Sequence, residues 1–554
     1  MEYKFKNKKI NLDFVKLAKQ ELSLPYFAGA VLSARGINTI KDTLTHFSEG
    51  LDLNDPLLMA SMPDAVNAII ESIKNNTKIA IFGDFDTDGI TSTAILARFF
   101  KKLEYENTKI VIPKEADGHG LSKQKITELI NEKVGLIITV DNGTNAKEEI
   151  ILAEKNGVRV VVTDHHLPDA NYAIEATAIL NPNRPDCPSE FKGYSGGGMA
   201  LILCIAVART LKREEYISDD LFVLAAISSI ADMVPLVGDN RKLVKFGLKK
   251  IKDSRILGLS LLLDKLYMSG PEELSARDVA FRIAPLINAA GKFGLAESAF
   301  CLLTAGDRSS LHKSIKELLE ISSRRRELLA KASIELSSQV NAQSNKAGFI
   351  FVFGNHRSAI NGLLATRIMQ DKNLPTFVGS EDGDILRISG RSNGKIDLSY
   401  LIDKTKHIHL GGGGHAFAAG IRVEKTKLPF LLKEFESLIN ELTSEKEAEN
   451  IIEIDGQLTL NQITVSLINS LRMISPFGKQ NEPPIFLIRG AEIKKETIGS
   501  KVNHYVSSPA GKIRVNFTDS TESAEKTLGG ANILFELNFF GESPLLYVKK
   551  IEKE

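Results

Sequence analysis

Between residues 78 and 168 the chain alternates short apolar runs with longer stretches of helical spacing. "KIAIF" (78–82), "VGLIITV" (134–140) and "VRVVVT" (158–163) are brief and rich in β-branched residues, which predicts strands buried on both faces. "ITSTAILARFFKKL" (90–103) and "TNAKEEIILAEKNG" (144–157) space their apolar positions as helices do, and the second closes on glycine. Strand, helix and strand in this order predict βαβ units and a parallel sheet.

Each predicted strand breaks off at acidic or histidine residues. "GDFDTDG" (83–89) supplies Asp84, Asp86 and Asp88; "VDNG" supplies Asp141; "TDHH" supplies Asp164, His165 and His166. A further carboxylate, Asp232, follows the apolar run "LFVLAAISSIA". Ligands of open parallel sheets gather beyond the carboxyl ends of the strands, so these groups are candidates for one site. The first loop has the spacing of half an EF-hand, but the twelfth position counted from Asp84 is Ile95 and a strand precedes the loop. That argues against a calcium loop. Packed carboxylates repel one another and take up protons unless cations sit between them. Oxygen and imidazole donors suit Mg²⁺ and Mn²⁺, and two such ions about 3.5–4 Å apart can clamp a phosphate.

Composition narrows the classes without choosing among them. The 554 residues predict several domains, and 43% hydrophobic with 25% charged residues is ordinary for a globular protein. The three cysteines, Cys187, Cys204 and Cys301, form no CxxC, which argues against a disulfide framework and a structural zinc site. No apolar run reaches membrane-spanning length and the N-terminus lacks a signal-peptide core, so a cytoplasmic protein without membrane contact is expected. A net charge of +1 leaves any nucleic-acid face to local clustering.

Residues 1–75 read as amphipathic helices packed on the first domain, which is expected over 76–307. Residues 308–344 lack Pro and Gly and predict a long connecting helix carrying Arg324, Arg325 and Arg326. "AGFIFVFG" and "LPTFVG" predict strands of a smaller α/β lobe over 345–445. "TSEKEAEN" reads as a charged linker. Alternating apolar positions over 451–554 predict a β-barrel, where basic and acidic residues balance at twelve each. The best basic strip there is Lys494, Lys495, Lys501, His504, Lys512 and Arg514.

"GDFDTDG", "VDNG", "TDHH" and "SSIADMVPLVGDNR" together resemble the four motifs of the DHH phosphoesterases, and most closely those of the RecJ-like single-strand-specific exonucleases. "LNPNRPDCP", "FKGYSGGGMA" and "FRIAPLINAAGKFG" resemble further signatures of that group. "ISGRSNG" and "GGGGHAFAAG" resemble the DHH-associated domain, and "SPFGKQNEPPIF" the opening of its C-terminal OB-fold. The resemblance implies an α/β protein with a parallel-sheet DHH domain, a long connecting helix, a smaller α/β DHH-associated domain and an OB-like barrel. It implies a metal-dependent exonuclease that degrades single-stranded DNA from the 5′ end, releases 5′-mononucleotides and uses two Mn²⁺ or Mg²⁺ ions. The expected partners are single-stranded DNA and a helicase or single-strand-binding protein, and the expected state is a monomer. Two other readings stay open: a phosphodiesterase of short oligonucleotides or cyclic dinucleotides, and a non-catalytic single-strand clamp.

Carried over by position, the resemblance makes Asp86 a ligand of one ion and Asp88 of the other, with Asp141 bridging both. His165 and Asp232 complete the shell of the second ion; Asp84 lies near the first ion or holds its water; His166 contacts the scissile phosphate or an outer-shell partner. Asp164 would orient a histidine. Gly413, Gly414 and His415 would grip a phosphate, Arg391 and Ser392 the strand's backbone, and Asn288 and Lys292 would line the same cleft. The family often reads Arg at positions 286 and 292, where this chain has Leu286 and Lys292, and commonly Tyr where it has His119. The segment "GNHRSAINGLL" (354–364) is also looser than the family's.

Overall fold

The computed structural model describes residues 4–48, 50–115, 118, 120–169, 172, 175–343, 348–444, 451–498, 501–508, 511–517, 530–540 and 543–553. His119 lies outside them, as does most of the linker "TSEKEAEN".

The first domain is built on five parallel strands: β1 (Ile79–Phe82), β2 (Thr108–Val111), β3 (Leu136–Val140), β4 (Arg159–Thr163) and β5 (Ala178–Leu180). Their order in the sheet is β2-β1-β3-β4-β5. Alternate residues point to opposite faces, and both faces are covered. Ile79, Ile81, Ile138 and Val161 join a core that includes α1 (Thr87–Lys102), α2 (Gly196–Leu211) and α3 (Asp219–Ala231). Ala80, Phe82, Ile137, Val160 and Val162 pack on the other side against Ile126, Leu129 and Ile150. Double coverage is why the strands read as unbroken apolar runs. Helix α4 (Ala284–Lys292) then lies across α1, tied by the Thr87 hydroxyl, which donates to the Ala284 carbonyl at 3.0 Å.

Helix α5 (Arg308–Gln343) leads to the second lobe. Its five strands are β6 (Ile350–Gly354), β7 (Thr376–Asp382), β8 (Ile385–Arg391), β9 (Gly411–His415) and β10 (Ala418–Glu424), in the order β9-β10-β8-β7-β6. The glycine-rich β9 is an edge strand, paired among the described residues only with β10.

The C-terminal strands β11 (Ile485–Ile498), β12 (Lys501–Ser508), β13 (Gly511–Phe517), β14 (Ala531–Phe540) and β15 (Ser543–Lys553) close into a barrel through β11–β14 pairing. Here the N-terminal residues depart from expectation. Helices Leu12–Leu22 and Tyr26–Ala34 bury Phe14, Val15, Val31 and Leu32 against Leu467, Leu471, Phe486, Phe535 and Val548 of the barrel region. Strand Lys4–Asn7 pairs with Ile451–Ile454. Helix Met62–Lys74, by contrast, packs on the parallel-sheet core. Apolar spacing records that a helix has a buried face, but not which distant surface covers it.

Among the described residues no helix is long and apolar enough to cross a membrane.

Candidate active site

Three sheet strands end at one place. Asp84 follows β1, Asp141 follows β3, and Asp164 with His165 follows β4. Asp141 adopts a left-handed backbone with φ of 62°, a conformation that Asp tolerates better than most residues and that turns the chain sharply at the sheet edge. Asp86 caps α1, accepting from the Gly89 amide at 2.9 Å, and Asp88 lies in its first turn. Asp232 ends α3.

The side chains converge on His165. Its Nε2 lies 3.0 Å from Asp141 Oδ1, 3.6 Å from Asp88 Oδ2 and 3.7 Å from Asp232 Oδ2. Asp88, Asp141 and Asp164 are buried, while Asp232 is the more open member. Asp164 is used up locally: it accepts from the amides of His165, His166 and Thr144 and lies 2.8 Å from His166 Nδ1. It therefore fixes the two histidines rather than facing outward.

The α2 N-terminus completes the wall. Asp88 accepts from the Gly196 and Gly197 amides at 2.8 and 3.0 Å and from the Ser228 hydroxyl. Free helix-end amides and the helix dipole favour such an anion. A Cβ on Gly196 would lie 2.6 Å from the Asp141 Cβ, and one on Gly197 2.4 Å from the Ser228 Oγ. Glycine is thus a condition of the cluster. The sequence marks neither glycine nor Ser228 individually, although "FKGYSGGGMA" contains the glycines and "SSIADMVPLVGDNR" opens on Ser228.

The charge balance is that of a cation site. Burial, and then the fields of Asp88, Asp86, Asp232 and Asp84, push the Asp141 carboxyl well above the ordinary range. Burial and then Asp88 push Asp232 up as well. Burial holds His165 below its usual value, whereas the hydrogen bond to Asp164 raises His166 to about 9. Carboxylates held this close need protons or cations between them, and a donor set of oxygens with an imidazole fits Mn²⁺ or Mg²⁺. Candidate ligand atoms of Asp88, His165 and Asp232 all lie within 4.8 Å of one another, as do those of Asp141, Asp164, His165 and His166. Asp84 turns one oxygen to the Phe85 amide; it and Asp86 flank these groups and act on them through their fields.

Across the cleft stand the second lobe's residues. His415 is exposed, yet near enough to depress His165. Burial lowers Lys292, whose neighbours include Glu115, Arg391, Asp86 and Arg325. Arg325 donates to the Pro285 carbonyl at 3.0 Å. The Asn288 Oδ1 is buried without a hydrogen-bond partner among the described residues. Gly413 and Gly414 are exposed on β9. One expected contact and one family departure have structural explanations. The buried Ser392 hydroxyl donates to the Ile396 carbonyl at 2.6 Å and accepts from Gly394, so its proton is committed to a turn. Leu286 packs into the first domain's core rather than lining the cleft. A residue missed in the sequence is Lys479, whose carbonyl accepts from the Leu236 amide at 2.8 Å and whose charge acts on Asp232.

Comparison with known proteins matches this arrangement in order along the chain. The DHH family, N-terminal domain, matches residues 78–228; the DHHA1 domain matches 346–441; and the RecJ OB domain matches 454–511. Residues 78–228 thus carry a DHH-family N-terminal domain. The chain is 29% identical over 497 residues to the single-stranded-DNA-specific exonuclease RecJ of Bacillus subtilis, covering 89% of this chain and 62% of that protein. It is 28% identical to the Dickeya dadantii protein of the same name, covering 88% of each. The solved RecJ of Thermus thermophilus in complex with Mn²⁺ shares the fold, with a TM-score of 0.82 at 24% identity over 100% of this chain and 80% of that one. These matches cover the parallel sheet with Asp84 to His166, the second lobe and the first two strands of the barrel, and Asp232 lies just beyond the first of them.

Proposed function

We propose that this protein is a metal-dependent exonuclease that hydrolyses phosphodiester bonds of single-stranded DNA, working 5′ to 3′ and releasing 5′-mononucleotides. The observation that carries this reading is the meeting of Asp88, Asp141, His165 and Asp232, from four separate elements, beside the cationic group of Lys292, Arg325 and Arg391. Relatives that align with 88–89% of this chain are named single-stranded-DNA-specific exonucleases.

Asp86, Asp88, Asp141, His165 and Asp232 would hold two divalent cations, which supply an activated water and neutralise charge on the phosphate when bound. The rest of the chemistry belongs to the chain. Asp164 holds the His166 imidazole and the backbone of His165 in place. His166, whose affinity for a proton is raised by its hydrogen bond to Asp164, places an imidazole at the rim where it can donate to a phosphate oxygen. Lys292, Arg325 and Arg391 form a partly desolvated anion pocket suited to a terminal phosphate. Exposed Gly413 and Gly414, with no side chains in the way, let β9 approach the strand closely beside His415. The reading carries with it a cytoplasmic monomer that acts with a helicase or single-strand-binding protein.

The test uses Mn²⁺ with 5′- or 3′-labelled long single strands, duplex and dinucleotides, against the protein and its Asp141→Ala variant. Mononucleotides released from the 5′ end of long single strands, and lost in the variant, support the proposal. Hydrolysis confined to dinucleotides would assign a small-substrate phosphodiesterase. Binding without cleavage would assign a clamp.

A further inference from the structure

Phe281 is an anomaly for a ring so near a domain seam: it is 68% exposed. It sits in a π-helical turn, Val279–Ile283, in which the Ala284 amide reaches back to the Val279 carbonyl. Such widened turns occur often at functional sites, where they re-aim a side chain. Here the turn leaves Phe281 open to solvent and stacked with the Arg277 guanidinium, whose central carbon lies 4.9 Å from the ring centre. The same guanidinium lies 3.9 Å from the ring centre of Tyr547 on β15. Ring, guanidinium and ring thus bridge the first domain and the barrel. Glu536 accepts from both Arg277 at 3.4 Å and Lys549 at 2.8 Å, leaving the step one positive charge in excess.

The step adjoins charged and aromatic surface on the barrel, and on the other side it is tied to the helix that carries the aspartate loop. On the barrel, Lys494, Tyr505 and Arg514 stand opposite one another across β11, β12 and β13, and Lys512 lies 4.6 Å over the Tyr505 ring. Arg514 pairs with Leu545, two residues before Tyr547 and on the same face of β15. On the other side, Ala284 follows Phe281 by three residues and is bonded to Thr87, the neighbour of Asp86. Every base has an aromatic face, so a ring backed by a cation suits a single strand without regard to sequence.

We propose that Phe281, with Arg277 and Tyr547, is a stacking step for a base of the single strand downstream of the scissile bond, carrying the strand from the aspartate cluster to the barrel's outer face. This rests on the exonuclease reading above.

The test uses the full chain in an Asp141→Ala background, so that strands persist, with oligothymidylates each carrying one 2-aminopurine at successive positions from the 5′ end. Quenching at one internal position, lost in Phe281→Ala and restored in Phe281→Tyr, is the expected result. The Kd for the long strand should rise about 5- to 150-fold in Phe281→Ala, as expected for one lost base stack. Phe430→Ala, an exposed ring on the second lobe, should leave both readouts as they were. Unchanged quenching and Kd in Phe281→Ala overturn the inference, as does a loss that Phe281→Tyr fails to restore. If the unsubstituted protein does not degrade long single strands, the exonuclease reading itself falls, a failure distinct from the first.

Discussion

The chemistry of single residues here is set by contacts far apart along the chain. Asp88 takes its amide partners from Gly196, 108 positions away, and its hydroxyl partner from Ser228, 140 positions away. The aspartates themselves were legible, because a carboxylate that ends a buried apolar strand has one sheet edge to occupy. The groups that hold Asp88 were not, because a glycine's value lies in what its missing Cβ would strike. Gly196→Ala places a methyl against Asp141. It should lower Mn²⁺ affinity about 10–100-fold, measured by calorimetric titration, with hydrolysis falling in step. Ser228→Ala removes one donor from Asp88 and should weaken Mn²⁺ in the same direction but by less, since two amides remain.

At the scale of elements, the strands and the long helix were readable from spacing, and the glycine run shows what spacing misses. "GGGGH" reads as a loose phosphate loop, yet it forms edge strand β9 with every residue in register against β10. Strand propensity gave no hint, since glycine disfavours strands; the neighbouring backbone decides. Gly412 has a φ of 154°, and a Cβ there would lie 2.2 Å from the Gly420 carbonyl. Gly412→Ala should therefore loosen this hairpin, with amide exchange at Ala418–Gly420 accelerating about 5- to 150-fold, the equivalent of about 1–3 kcal/mol of local strain. Exchange rates equal to those of the unsubstituted chain would mean that the hairpin tolerates side chains and that its glycines serve only ligand approach.

The whole molecule is held at a junction that no local pattern announces. Arg241 donates to the carbonyls of His46 at 3.0 Å, Ser475 at 2.8 Å and Pro476 at 3.4 Å, joining the N-terminal helices, the first domain and the barrel region. Burial pushes this guanidinium down to about 10. Burial, then Arg241 and Arg35, pushes the neighbouring His46 down to about 3. The folded protein thus keeps His46 neutral, while the unfolded chain binds a proton near pH 6.5. Stability should be independent of His46 above that pH and fall as pH drops from about 6.5 toward 3, by up to about 1.4 kcal/mol per unit. In denaturant titrations His46→Gln should flatten that slope; an unchanged slope would locate the acid sensitivity elsewhere. The packing of the first 47 residues was not legible because their apolar spacing does not name a partner, and the buried arginine that ties His46 to the barrel region lies 195 residues away in sequence.

The central claim is that separated aspartates and histidines assemble a pair of divalent-cation sites. Its most direct test is anomalous diffraction at the manganese edge from crystals grown with Mn²⁺. The account predicts two peaks among Asp86, Asp88, Asp141, His165 and Asp232, both lost in Asp141→Ala. Peaks elsewhere on the molecule, or none at saturating Mn²⁺, would contradict it.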